Sequence, residues 1–208
     1  MKTQLYTLFL SSPNERDLRE IAQALQQGAV MIYPTDTVYA LGCLSNSEKG
    51  LNKLAALKDI RLEKAPLSFL FEDLSSLSSY VKPFDAATFR LLKRCLPGPY
   101  AFVMEAAKKL PKPFQKRKTI GVRISAHPVL EALLPMLDAP LVTSSLHNKD
   151  EVLVYASDPD ELLSDWDGKV DIVLQAGAGG NVPSTVIDLC QDPWEVIREG
   201  KGEIDFLA

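Results

Sequence analysis

Four short segments of the 208-residue chain carry side chains able to do chemistry. Residues 33–42 read YPTDTVYALG, an apolar stretch that runs into a proline and then a carboxylate between two hydroxyls. Such a turn either caps the next element or presents Thr35 and its neighbours to a ligand at a strand end. Lys58, Arg61 and Lys64 follow, each three residues from the last. Cations so spaced on a polar loop form a solvated face or grip the oxygens of several phosphates. In 118–123, KTIGVR, an arginine stands in an otherwise apolar strand. Arg123 must pair internally or face a ligand cavity, because arginine is rarely buried alone. The fourth segment is 183–188, PSTVID, with 196–200, VIREG, which place hydroxyls and Arg198 at strand edges. Before it, GAGG at 177–180 reads as a phosphate nest or a flexible loop.

Other familiar chemistry is missing from the sequence. It has no GxxxxGK[ST] loop, no GxGxxG after a strand, no HExxH and no GxSxG. His127 and His147 lack the spacing of a metal pair and read as surface or loop histidines, so no metal ligands and no catalytic nucleophile are assigned. Cys43, Cys95 and Cys190 are odd in number and form no CxxC, which argues against a disulfide framework or a zinc site.

Alternating helices and strands must position these groups. Leu18, Ile21, Ala22 and Leu25 fall on one helical face, ended by Gly28. A second helix starts near Ser47 as N-cap and carries Leu51, Leu54, Ala55 and Lys58 on one side. Further helices are expected near 86–93 and 129–136, with little helix after about Leu163. Strands are expected at 5–10, 30–33, 67–71, 100–104, 120–124, 141–143, 172–174, 185–189 and 195–198. Residues 61–66 and 146–160 read as loops. Alternation giving way to successive strands predicts an α/β fold, a mixed parallel and antiparallel sheet flanked by helices, with 1–208 as a single domain.

Composition removes several classes. With 46% hydrophobic and 24% charged residues the chain is neither disordered nor collagen-like. A net charge of −4 argues against a wholly basic nucleic-acid coat. No apolar run approaches the ~20 residues of a membrane span. The N-terminal apolar stretch is too short for a signal peptide, so a reducing cytoplasm is expected.

Read in order, the segments resemble the YrdC-like family, whose enzymes make threonylcarbamoyl-adenylate. The matching pieces are PTDTVYALG (34–42), the cations of 58–64, LPGPYAFVM (96–104), TIGVRISAHP (119–128), PLVTSS (140–145), PSTVID (183–188) and IREGKGEI (197–204). The resemblance implies a twisted mixed sheet with an open basic cavity. It also implies a reaction of L-threonine, bicarbonate and ATP, with Mg2+ as counter-ion and no tightly bound cofactor, giving threonylcarbamoyl-AMP and pyrophosphate. That product feeds the t6A modification of tRNA. About six negative charges meet in such a cavity, so cations and positioning matter more than a nucleophile. By the same resemblance Thr35, Arg123, Ser144 and Ser184 would bind threonine. Lys58, Arg61, Lys64, Thr119 and Arg198 would hold the nucleotide.

The chain departs from the synthase pattern at four places. The usual KxR pair is replaced by Lys58-x-x-Arg61, Leu146 stands where an ATP-binding asparagine is expected, Ala40 replaces a glycine, and Ser125 replaces a proline. These features, with KRKTIGVR at 116–123, look most like the YciO branch. Three functions follow as expectations. One is a synthase, weakened or inactive. Another is a protein that binds double-stranded RNA, tRNA or ribosomes without synthase activity. The third is a protein that uses the cavity for another small molecule or for carbamoyl transfer.

Overall fold

Asn14 opens the first helix: its side chain accepts a hydrogen bond from the Arg16 N–H and caps α1 (Glu15–Gln26). The helix buries Leu18, Ile21, Ala22 and Leu25, the stripe expected from their spacing. Ser47 likewise caps α2 (Glu48–Lys58), accepting from Gly50 N. The structure, a computed structural model, describes residues 2–146 and 159–205. His147 and nearly all of the expected loop at 146–160 lie outside these residues, and residues 159–160 begin a helix.

The strands are β1 (Gln4–Thr7), β2 (Met31–Tyr33), β3 (Ala40–Leu44), β4 (Ser68–Leu70), β5 (Tyr100–Glu105), β6 (Thr119–Arg123), β7 (Leu141–Ser145), β8 (Ile172–Gln175), β9 (Thr185–Asp188) and β10 (Glu195–Arg198). The remaining helices are α3 (Leu74–Ser78), α4 (Ala86–Cys95), α5 (Pro128–Leu133) and α6 (Pro159–Trp166). The strands join in one sheet ordered β1-β8-β2-β3-β7-β4-β6-β5-β9-β10. Pairs β1/β8, β8/β2, β4/β6 and β5/β9 are parallel, and the others antiparallel. The expected mixed α/β sheet is therefore present.

Alternation along the strands builds two apolar layers. On one face Met31, Tyr33, Leu44 and Leu141 pack against α1 and α5. On the other, Ile32, Leu41, Phe69, Val122 and Val142 pack against α2 and α4. The helices of the first face leave part of it uncovered. Over β4, β6, β5 and β9 this face carries Ser68, Gly121, Val103 and Asp188 in one register row, all half exposed. Among the described residues no helix is long and apolar enough to cross a membrane.

Three elements differ from the sequence expectation. β3 takes the last three residues of YPTDTVYALG and runs on to Leu44, where no strand was expected, and α3 and α6 were not foreseen. The three cysteines are free, and burial pushes the Cys43 thiol up to about 12, which makes it an inert core side chain.

Candidate functional site

Between Tyr33 and Ala40 the chain reverses so that β3 returns antiparallel to β2. Thr35 makes the reversal. Its Oγ1 donates to the Val38 carbonyl at 2.7 Å and accepts the Thr37 N–H at 3.1 Å. Both threonines are buried, and the turn directs the carboxylate of Asp36 at β6.

There Arg123, only 6% exposed, donates through Nη2 to Asp36 Oδ1 and to Thr37 Oγ1, each at 3.2 Å. Ser125 Oγ donates to the same Asp36 oxygen at 2.6 Å, and the His127 N–H reaches back to Ser125 at 3.3 Å. Just before β9, Ser184 brings its hydroxyl within 3.4 Å of Thr37 Oγ1. The Ser184 carbonyl accepts two bonds from Arg198, at 3.1 and 2.8 Å. Lys201 Nζ donates to the Asp36 carbonyl at 2.6 Å. Gly180 lets its segment lie on this turn, because a Cβ there would stand 2.1 Å from the Thr37 carbonyl oxygen.

Burial pulls the Arg123 guanidinium below its ordinary pKa, Asp36 opposes that shift, and Arg198 adds to it by repulsion. Asp36 Oδ2, Arg123 Nε and His127 Nδ1 are buried with no hydrogen-bond partner among the described residues. Acceptor and donor atoms left open in one cluster suit a polar ligand that bears both complements.

The other expected residues fall into two further groups. Lys58, the last residue of α2, donates to the Ser145 carbonyl at 3.2 Å and so meets the end of β7. Ser144 pairs with Leu41, which turns it to the α2 face, away from the face carrying Thr143 and Arg123. Leu146, 3% exposed, belongs to the apolar layer on that side, and its N–H bonds the Tyr39 carbonyl at 3.0 Å. Arg61 and Lys64 are exposed on the turn before β4, and Thr119 is exposed at the start of β6. Thr119 and Arg123 share a face, but four residues put them about 13 Å apart along the strand. The structure thus gathers Thr35, Arg123, Ser184 and Arg198, ties Lys58 to β7, and leaves Arg61, Lys64 and Thr119 beside the starts of β4 and β6.

Sequence reasoning missed Asp36, Thr37, Ser125, His127 and Lys201. One signal was available: an arginine in an apolar strand requires an anion, and the carboxylate of PTDT is the strand-end candidate. His127 is a half-buried loop residue, the N-cap of α5. Its burial pulls the imidazole below its ordinary pKa, against Asp36, so it stays neutral near pH 7. A depressed native pKa means that the unfolded chain binds the extra proton first. Stability is then fully present above the unfolded value of about 6.5 and lost as pH falls through the lower native value. Urea titrations from pH 7.5 to 5.5 should show this loss, and His127→Gln should shrink it.

A mixed ten-stranded sheet between helix layers, with a buried arginine paired to a carboxylate among hydroxyls at its strand ends, defines an α/β domain with a buried polar cluster. The chain belongs to the Sua5/YciO/YrdC family, whose model, described as "Telomere recombination", matches residues 23–200. A Haemophilus influenzae protein is 33% identical over 202 residues, covering 96% of this chain and 97% of that one. Escherichia coli YciO is 32% identical over 204 residues, covering 97% and 98%. Its crystal structure superposes with a TM-score of 0.90, covering 99% of this chain and 100% of that one. P. abyssi Sua5, solved in complex with L-threonine, is 25% identical with a TM-score of 0.84. That match covers 95% of this chain and 58% of the Sua5 chain. Both the family resemblance and the likeness to YciO are borne out.

Proposed function

We propose that the chain binds L-threonine at the Asp36–Arg123 cluster and condenses it with bicarbonate and ATP, forming threonylcarbamoyl-AMP and pyrophosphate for t6A modification of tRNA. The observation that carries this reading is the set of open polar atoms. Arg123 Nε offers an N–H to a carboxylate, and Asp36 Oδ2 offers a lone pair to an amine. The 25% identity to a Sua5 solved with L-threonine supports it. Thr37 and Ser184 supply hydroxyls for the remaining polar group of the amino acid.

The amine attacks bicarbonate with loss of water, and an oxygen of the resulting carbamate displaces pyrophosphate at the α-phosphorus. The chain's part is to hold the reactants and offset their charge, through Arg123 and Arg198 on one side and Lys58, Arg61 and Lys64 on the other. Mg2+ enters with ATP. Among the described residues no group of three or more His, Cys, Asp or Glu could hold a metal. Leu146 gives the nucleotide no polar contact, which makes turnover slow.

The test is the purified protein with ATP, bicarbonate and threonine, scored for pyrophosphate and the adenylate. Arg123→Lys should weaken threonine binding more than about tenfold, because the planar fork is lost. Calorimetry that shows no threonine binding by the wild type rejects the assignment.

The second reading, RNA binding without synthase chemistry, rests on a different observation. Lys108, Lys109, Lys112, Lys116 and Lys118 are all exposed, and 106–118 contains no acidic residue. RNA affinity that falls steeply with salt, beside an inactive synthase assay, would favour it.

A further inference from the structure

Arg117, two residues before Thr119, has no part in the site as described so far, yet its side chain is spent on one loop. Its Nη2 donates to the carbonyls of Leu62 and Ala65, at 2.6 and 2.5 Å. Its guanidinium carbon stands 5.3 Å from the centroid of the Phe114 ring, and that ring packs edge-on against Phe69 of β4. Residues 61–66 form a tight turn in which the Arg61 carbonyl accepts from the N–H groups of Lys64 and Ala65. Leu62 and Ala65 point into the core, and Arg61 and Lys64 point outward. The turn's own bonds do not serve the Leu62 carbonyl, so Arg117 satisfies it and grips the turn at both ends. A lysine could donate to one such carbonyl from a flexible stem but could not span two while stacked on a ring.

We propose that Arg117 is a positioning residue that fixes the 61–66 turn to the head of β6, so that the nucleotide-facing cations and the threonine-facing Arg123 ride on one rigid piece. This rests on the function proposed above, in which Arg61 and Lys64 meet the phosphates. Arg117 touches no substrate. It acts by holding the turn in one conformation, so that the cations are ordered before the nucleotide arrives rather than at its expense.

The experiment compares the full-length wild type with Arg117→Lys and Arg117→Ala. Amide hydrogen exchange at 61–66 is followed without ligand, and ATP and threonine affinities and melting temperature are measured in parallel. Exchange at 61–66 should quicken at least about tenfold in both variants. ATP affinity should drop about tenfold, threonine affinity should stay within about twofold, and methylguanidinium should restore part of the ATP affinity of Arg117→Ala. Unchanged exchange in Arg117→Ala overturns the tie itself. Equal losses of ATP affinity, threonine affinity and melting temperature overturn the positioning role in favour of a purely structural one. A wild type that binds no ATP overturns the reading on which the proposal rests, and the ligand-free exchange tells that failure from the first.

Discussion

Asp36→Ala is expected to destabilise the protein by about 3–5 kcal/mol, far more than an ordinary polar truncation. The carboxylate is the ion-pair partner of Arg123, whose side chain is 7% exposed, and among the described residues no second acid pairs with that guanidinium. Removing it strands a charge that the strand cannot deliver to water, and it also leaves the Ser125 hydroxyl without its acceptor. Adding Arg123→Met to Asp36→Ala should recover much of the loss, because replacing both members of a buried pair costs less than orphaning one. Urea unfolding of the three proteins measures the cycle. A single-variant loss under about 1 kcal/mol would show that the pair is relaxed and solvated, as exposed pairs are.

Leu146→Asn should lower stability by about 3–6 kcal/mol without raising turnover. Roughly 2–3 kcal/mol of this is lost apolar burial and about 1–3 kcal/mol is an amide left without partners. The sequence alone suggested the opposite experiment, since the resemblance places a nucleotide-binding asparagine there. The structure sets Leu146 in the apolar layer beneath α2, so restoring the family residue breaks packing before it can restore a contact. Melting temperature and pyrophosphate release, measured together, separate the two. A faster enzyme with an unchanged melting temperature would place residue 146 at the nucleotide after all.

Much of the fold was legible because local pattern and tertiary role agree. Leu18, Ile21, Ala22 and Leu25 bury the stripe that their spacing announces, and the apolar runs at 100–104 and 172–174 became strands. β3 was hidden for a physical reason. Its sequence, ALGCL, is poor in β-branched residues and has glycine at its centre, so nothing local favours a strand. It is a strand because β2 and β7 pair with it on either side, and Gly42 is needed there because a Cβ would stand 2.8 Å from the Val142 carbonyl oxygen. At the site, residue types identified Thr35, Arg123 and Ser184, but not the partners that hold them. Ser125 entered only as a departure from a family proline, whereas its hydroxyl fixes the carboxylate that faces Arg123. The side of the sheet to which Ser144 turns depends on register with Leu41, which no local pattern could supply.

The strand order also dictates when the site can exist during folding. The first strand lies beside the eighth, the second also borders the eighth, and the fifth lies beside the ninth. The neighbours of early strands are therefore made last. Pairings so distant in sequence are slow to form, because each closes a long loop before any contact rewards it. Thr35, Arg123 and Ser184 come from the first, middle and last thirds of the chain, so a nascent or C-terminally truncated chain has helices but no assembled cluster. A ligand of that cluster meets only the finished sheet. It should raise the unfolding midpoint of the whole protein as its concentration rises, rather than rescue any fragment.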